Sequence, residues 1–291
     1  MNVAIYSRGV DLDQQQSLND LIAELQKHDI TIYIYGGLIQ KFNLVTDAAK
    51  KSLIVFEHSS DLHNNIDCLI SLGGDGTVLD AITLVGDTLI PILGINYGRL
   101  GFLATISKDE LTIMVEALVN RSYVIDKRSL IHIDSNLPIF RDAPFALNEF
   151  AIHKRDTSPM IKIHTYLNGE LLNSYWADGL IIATPTGSTG YSFSAGGPIL
   201  EPTSRNLIVT PIAAYLATLR SVTVSATQTV TCTIVQGEDA VVSIDGWIDQ
   251  PLKIGDRVSV TEAEQPINFV ELQGAVPFWD LVRQKVDLLP R

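Results

Sequence analysis

Only two cysteines, Cys68 and Cys232, occur in the 291 residues. They lie far apart inside strand-like runs, which excludes a disulfide framework or a cysteine metal cage and fits two core thiols in a reducing cytoplasm. The six histidines show no metal-ligand spacing. Cations are short as well: 21 Lys+Arg stand against 33 Asp+Glu, a formal net charge of −12. That balance excludes a sequence-independent nucleic-acid binder, which needs a basic face to displace counterions from phosphates. No signal-type apolar run follows Met1, and acidic residues arrive at Asp11 and Asp13. The uncharged stretch from Gly179 to Leu200 is long enough to cross a membrane, but Pro185, Pro198, five glycines and many hydroxyls argue against a span. Internal repeats and low-complexity segments are absent.

The chain does have apolar material in quantity, 46% hydrophobic against 19% charged residues, which is ample for a packed core in one large or two ordinary domains. Short β-branched runs alternate with helical spacing through the first half. Val3–Tyr6, Thr31–Tyr35, Leu53–Phe56, Cys68–Leu72 and Ile90–Ile95 read as strands; Asp13–His28 and Lys108–Asn120 read as helices. Strands alternating with helices imply βαβ units and a largely parallel sheet. In the second half, short alternating segments replace the helical periods. Asn168-Gly169 between Met160–Leu167 and Leu171–Trp176 marks a type I′ hairpin. Thr229–Val235, Ala240–Ile244, Arg257–Thr261 and Ile267–Leu272 continue the series, and Pro277–Val286 returns to helical spacing. The expected architecture is an α/β domain over 1–122 and an all-β, sandwich-like domain over 123–272. A C-terminal helix over 273–291 is expected to pack back on the first domain.

Three constellations carry chemistry. Cys68–Leu72 runs into Gly73-Gly74-Asp75-Gly76-Thr77 and a helical stretch, so glycines and a helix N-terminus can hold phosphate. Inside such a loop, Asp75 either accepts a proton or helps hold a metal, or it caps the helix. The spacing is neither the dinucleotide fingerprint nor the Walker loop with its lysine. The second constellation runs from Trp176-Ala177-Asp178-Gly179 to Gly196-Gly197-Pro198, where hydroxyls and Tyr191 suit a base and a sugar, or form a hydroxyl-rich turn region. The third is Leu147-Asn148-Glu149, whose amide suits an adenine edge and whose carboxylate suits vicinal ribose hydroxyls; such a pair also makes an ordinary turn. His153-Lys154-Arg155 reads as a phosphate-attracting cluster or a solvated strand end, and Trp176 and Trp247 read as packing residues.

Together with Gly94-Ile95-Asn96-Tyr97-Gly98-Arg99-Leu100-Gly101-Phe102-Leu103, these elements resemble the NAD kinase family over most of the chain. The resemblance implies transfer of the terminal phosphoryl of ATP to the 2′-hydroxyl of NAD, with a divalent cation (Mg²⁺) accompanying ATP. It implies Asp75 as proton acceptor and Gly73, Gly74, Gly76 and Thr77 as the phosphate loop. Asn148 and Thr189 would read adenine, Glu149 would take ribose hydroxyls, and Tyr191 would stack. Asp178 would hold the nicotinamide carboxamide with the backbone around Ala213, and Gly190, Ser192, Phe193 and Ser194 would complete the NAD site. A crevice site between two domains, homodimer or homotetramer assembly and a cytoplasmic location are further implications. The glycine loop alone is shared with diacylglycerol and sphingosine kinases, so a lipid kinase is an alternative; a non-catalytic nucleotide-binding regulator is another. Departures from the family pattern are Asp80 and Trp176, where basic residues are common, Tyr215 for a histidine, and Trp247 for a glutamine.

Overall fold

The computed structural model describes residues 1–9, 12–41, 53–62, 65–98, 100–135, 137, 144–155, 157–237, 240–247 and 250–286. Arg99 of the glycine-rich segment, Asp11 and the 287–291 end of the C-terminal stretch lie outside the described residues. The chain forms two units, Met1–Lys127 with Ile267–Arg291, and Arg128–Pro266.

The first unit is built on an eight-stranded sheet. Its order is Leu53–Phe56, Thr31–Tyr35, Asn2–Tyr6, Cys68–Leu72, Ile92–Asn96, Ile267–Leu272 and Tyr123–Arg128, with Ile106–Ser107 also paired to Ile92–Asn96. The pairings of its first five strands are all parallel. Cys68–Leu72 and Ile92–Asn96 are buried at every position, as central parallel strands covered on both faces must be. The helix Leu12–Lys27 buries Leu18, Leu21, Ile22 and Leu25, and Leu111–Val119 buries Met114, Val115 and Leu118, all in one core with Val3, Ile5, Ile70 and Leu93.

Two expected boundaries move. Tyr123–Arg128 and Ile267–Leu272, read as parts of the β-rich half, both join the first unit's sheet; Phe269 pairs with Ile92 in parallel, and Val270 enters the first core. Their alternation fits either sheet, and partner choice depends on long-range contacts that a local pattern does not carry. Ile90 and Pro91 precede the fifth strand, which starts at Ile92, and Lys108–Glu110 is a 3₁₀ turn ahead of the helix. The short helix Gly36–Lys41 has too few residues to show a period. The helix Phe278–Val286 sets Phe278 6.3 Å from Phe102, within the same unit.

The second unit holds two six-stranded antiparallel sheets around one core. One sheet runs Val222–Ser225, Asn206–Ile212, Gly179–Ala183, Glu149–Lys154, Ala240–Ile244, Gln250–Leu252. The other runs Glu170–Ala177, Ile161–Leu167, Val230–Gln236, Arg257–Glu262, Ile131–Ser135, Phe145–Ala146. Phe150, Ile182 and Val209 from the first meet Ile163, Tyr175 and Cys232 from the second. Asn168 and Gly169 both have positive φ (49° and 90°), as a type I′ turn requires. Cys68 and Cys232 are buried free thiols, and burial pushes both far up from the usual thiol range. Among the described residues, no helix is long and apolar enough to cross a membrane.

Candidate active site

In the first unit the buried strand Cys68–Leu72 delivers a two-glycine turn to the helix Asp75–Val85. Gly73 has φ 150°, and a Cβ there would collide with the Thr77 side chain, so glycine is required at this turn. Gly73 N–H bonds to Ile95 O at 2.9 Å, fixing the turn to the neighbouring strand. Gly74 is the residue before the helix, and its carbonyl accepts the Thr77 N–H at 2.9 Å. Asp75 does not cap this helix. Its carboxylate instead accepts three consecutive backbone N–H groups from the segment after Gly101: Phe102 on Oδ2 at 2.8 Å, and Leu103 and Ala104 on Oδ1 at 2.9 and 3.0 Å.

That segment is itself clamped. Buried Asn96 donates to the carbonyls of Ala104 and Ile106 at 3.2 and 2.9 Å, and Gly101 N–H bonds to Ala104 O. A Cβ on Gly101 would strike Asp75 Oδ1, and one on Gly94 would meet Ala104 Cα and Leu103 O at 2.8 Å. The glycines of the second glycine-rich segment thus permit the close approach that immobilises Asp75. Asp80, one turn further along the helix, is paired with Arg8 through Nε and through Nη2 at 2.8 Å, and accepts from Tyr6 Oη at 3.2 Å. Burial first, and then the Asp80 carboxylate, push the Tyr6 phenol far up.

In the second unit, Glu149 begins a central strand, and the three N–H groups of Leu147, Asn148 and Glu149 converge on the Asp245 carboxylate at 2.8, 2.7 and 3.0 Å. Asp245 answers with its own N–H to Glu149 O at 3.0 Å. The Asn148 carbonyl accepts the Thr184 N–H at 2.9 Å, and a Cβ on Gly187 would run into that carbonyl. Glu149 is only 7% exposed. Burial, followed by the Asp245 charge, pushes its carboxyl up to about 8, against a smaller lowering by the Tyr191 backbone N–H. Burial raises Asp245 as well, opposed by the three N–H groups it accepts.

Tyr191 connects the two ends of this strand: its backbone meets Glu149, and its ring stacks on His153 at 5.5 Å and 19°. Burial, then Glu149 and Asp178, push its phenol up. Asp178 sits where register brings His153 opposite Gly179 and Gly179 opposite Ile212, with Ala213 (φ 45°) next in line. Asp178 is ion-paired to Lys154 at 3.0 Å, a partner that the sequence left open as a solvated strand end. Thr189 donates to Thr186 O at 3.3 Å, while Phe193 and Ser194 are exposed beside Gly190 and Tyr191. Ser192, expected within the NAD site, has its side chain fully buried and bonded to Thr210 at 3.0 Å, which fixes the turn.

Trp176 and Trp247, expected to pack, are exposed. Trp176 instead lies against Tyr215, with ring centroids 4.7 Å apart. The sequence alone assigns no role to Arg8, Asn96 or Asp245. For Asp245 a signal was present, since an Asp-Gly pair closing a strand marks a turn whose carboxylate can accept backbone N–H groups. Among the described residues, no three His, Cys, Asp or Glu side chains converge into a metal cage.

Two family models match the chain, the ATP-NAD kinase N-terminal domain over residues 25–123 and the ATP-NAD kinase C-terminal domain over 147–272. The NAD kinase of Cytophaga hutchinsonii is 37% identical over 288 residues, 99% of this chain and 98% of that protein. The NAD kinase of Flavobacterium johnsoniae is 36% identical, over 98% and 97%. Among solved structures, an NAD kinase from Archaeoglobus fulgidus in complex with ATP is similar with a TM-score of 0.77 and 25% identity, over 100% of both chains. Yeast NADH kinase complexed with NADH shares the fold, with a TM-score of 0.85 at 24% identity, over 99% of this chain and 87% of that one.

Proposed function

The chain belongs to the NAD kinase family, and from that premise we propose that it phosphorylates the 2′-hydroxyl of the adenosine ribose of NAD from ATP, with Asp75 taking the hydroxyl proton. The 2′-oxygen forms a bond to the terminal phosphorus as the bond to the bridging oxygen of ADP breaks. The proton goes to the Asp75 carboxylate, and the products are NADP and ADP. The observation that carries this assignment is the fixation of Asp75 by three backbone N–H groups at the start of the helix after Gly73-Gly74. A carboxylate immobilised in this way loses little freedom when it meets a hydroxyl, and positioning of that kind is a large part of phosphoryl-transfer catalysis.

Gly73, Gly74, Gly76 and Thr77 cradle the donor phosphates with the helix N-terminus. The donor would be MgATP, with the divalent cation carried on its phosphates. Asn148 and Thr189 read adenine, Glu149 takes the ribose hydroxyls and Tyr191 supplies the stacking face. Asp178, steadied by Lys154, holds the carboxamide with Ala213. Gly190, Phe193 and Ser194 line the same site, and Ser192 supports it from beneath. A homodimeric or homotetrameric enzyme of the cytoplasm completes the reading.

The test is incubation with MgATP and either NAD, NADH or diacylglycerol, with NADP detected by an NADP-specific dehydrogenase and lipid phosphate by extraction. NADP formation supports the reading. Phosphorylated lipid without NADP, or NAD binding without turnover, would replace it with the lipid-kinase or the regulator alternative, neither of which the full-length relatives favour.

A further inference from the structure

We propose that Arg8 is a donor-phosphate residue: its guanidinium, held by Asp80, supplies the local positive charge beside the glycine loop for the phosphates of ATP. This rests on the kinase reading above. Arg8 follows the first strand, Asn2–Tyr6, whose neighbour Cys68–Leu72 leads into the loop, with Tyr6 paired to Ser71. Parallel register therefore brings the end of one strand to the start of the phosphate loop next door. The Arg8 side chain crosses to the helix, where Asp80 takes Nε and, at 2.8 Å, Nη2. That two-point grip fixes the plane of the guanidinium. The third nitrogen, Nη1, lies beside the loop: a Cβ built on Gly76 would be 3.2 Å from it.

Charge and geometry agree. The chain carries −12 overall and places Asp75 and Asp80 on the helix that receives a polyanion. The first N–H groups of that helix have no intrahelical acceptor and favour an anion, but their combined effect is about half an elementary charge. Arg8 adds a guanidinium at the end of the helix where it is useful, its charge offset in part by the Asp80 carboxylate. Asp80 lies one turn further from the N-terminus than Gly76, so the pair is ordered with its cation toward the loop and its anion behind. Arg8 remains partly open to solvent, with its side chain 38% exposed, so a phosphate can reach it. A Cβ on Gly76 would come within 3.2 Å of Nη1, so glycine there keeps the space beside the guanidinium open.

Steady-state kinetics with the intact enzyme test the assignment, with ATP and NAD varied separately and ATP affinity measured by titration calorimetry. Arg8→Ala should raise KM and Kd for ATP at least about tenfold, the scale of one charge-assisted hydrogen bond. KM for NAD should stay within about twofold, and Arg8→Lys should recover part of the loss. Asp80→Ala removes the same ion pair but leaves the cation, and should cost clearly less ATP affinity than Arg8→Ala. Equal losses in Arg8→Ala and Asp80→Ala would make the pair a structural tie and overturn the proposal, as would unchanged ATP affinity in a folded Arg8→Ala protein. Wild-type protein that forms no NADP would overturn the kinase reading instead, so the two failures are distinguishable.

Discussion

Asp245 holds Glu149 in place and opposes its ionisation: the Asp245 carboxylate accepts the Glu149 N–H at 3.0 Å, while burial and then the Asp245 charge push the Glu149 carboxyl up to about 8. Ribose hydroxyls donate to a carboxylate better than to a neutral acid. NAD affinity should therefore strengthen by about tenfold between pH 7 and pH 9, as the ionised fraction of Glu149 rises. Titration of NAD binding across that range checks this. Glu149→Gln should flatten the profile, and a flat profile in the wild-type protein would count against Glu149 as the ribose acceptor.

The same shift governs stability, with a definite sign. The Glu149 carboxyl is pushed up from its ordinary 4.5 to about 8 in the fold. Between those values the folded protein keeps a proton that the unfolded chain has released, so this group's contribution to stability falls as pH rises from about 4.5 to about 8 and is level above. Glu149→Gln should remove that slope. Thermal melts of both proteins at pH 5, 6.5, 8 and 9 should show the variant gaining on the wild type up to pH 8 and no further.

Asp245→Asn keeps the residue's size and its tolerance for the observed φ of 48°, but replaces an acceptor-only group with one that also donates. One of the three N–H groups of Leu147, Asn148 and Glu149 then loses its partner. KM for NAD should rise about tenfold, with KM for ATP changed by less than twofold. The pH midpoint for NAD binding should also move below that of the wild type, because the charge facing Glu149 is gone. A merely structural role for Asp245 would leave that midpoint where it is.

Much of this was legible in the sequence because it is local. The strand, glycine turn and helix around Gly73–Thr77 follow from apolar runs and turn residues over fewer than twenty positions, and Asn168-Gly169 states its own hairpin. What the sequence did not show is long-range. Asp75 is bonded to Phe102, Leu103 and Ala104, and Asn148 to Asp245, across separations no period reveals. Ile267–Leu272 alternates like its neighbours in the β-rich half yet pairs with Ile92–Asn96, and nothing in its residues names that partner. Trp176 looked like core material by residue type, although its exposure is set by its outward position on a strand.

Gly101→Ala tests the mechanical side of Asp75. The added methyl would clash with Asp75 Oδ1, so either the carboxylate turns away or the Phe102–Ala104 segment shifts. Either outcome should lower kcat by about a hundredfold, the scale of a misplacement near one ångström, with KM for NAD changed little. Single-turnover and steady-state rates of NADP formation would separate this from a loss of binding.

The central claim is that Asp75 accepts the proton of the 2′-hydroxyl. Its most direct test is the rate of NADP formation by Asp75→Asn under saturating MgATP and NAD, with folding verified by thermal melt. The substitution keeps the size of the side chain and one oxygen for the Leu103 and Ala104 N–H groups, sets a donor opposite the Phe102 N–H, and removes the base. It should lower kcat by about 10²–10⁴-fold while leaving both KM values within a few-fold. A folded Asp75→Asn enzyme that phosphorylates NAD at the wild-type rate would contradict the account.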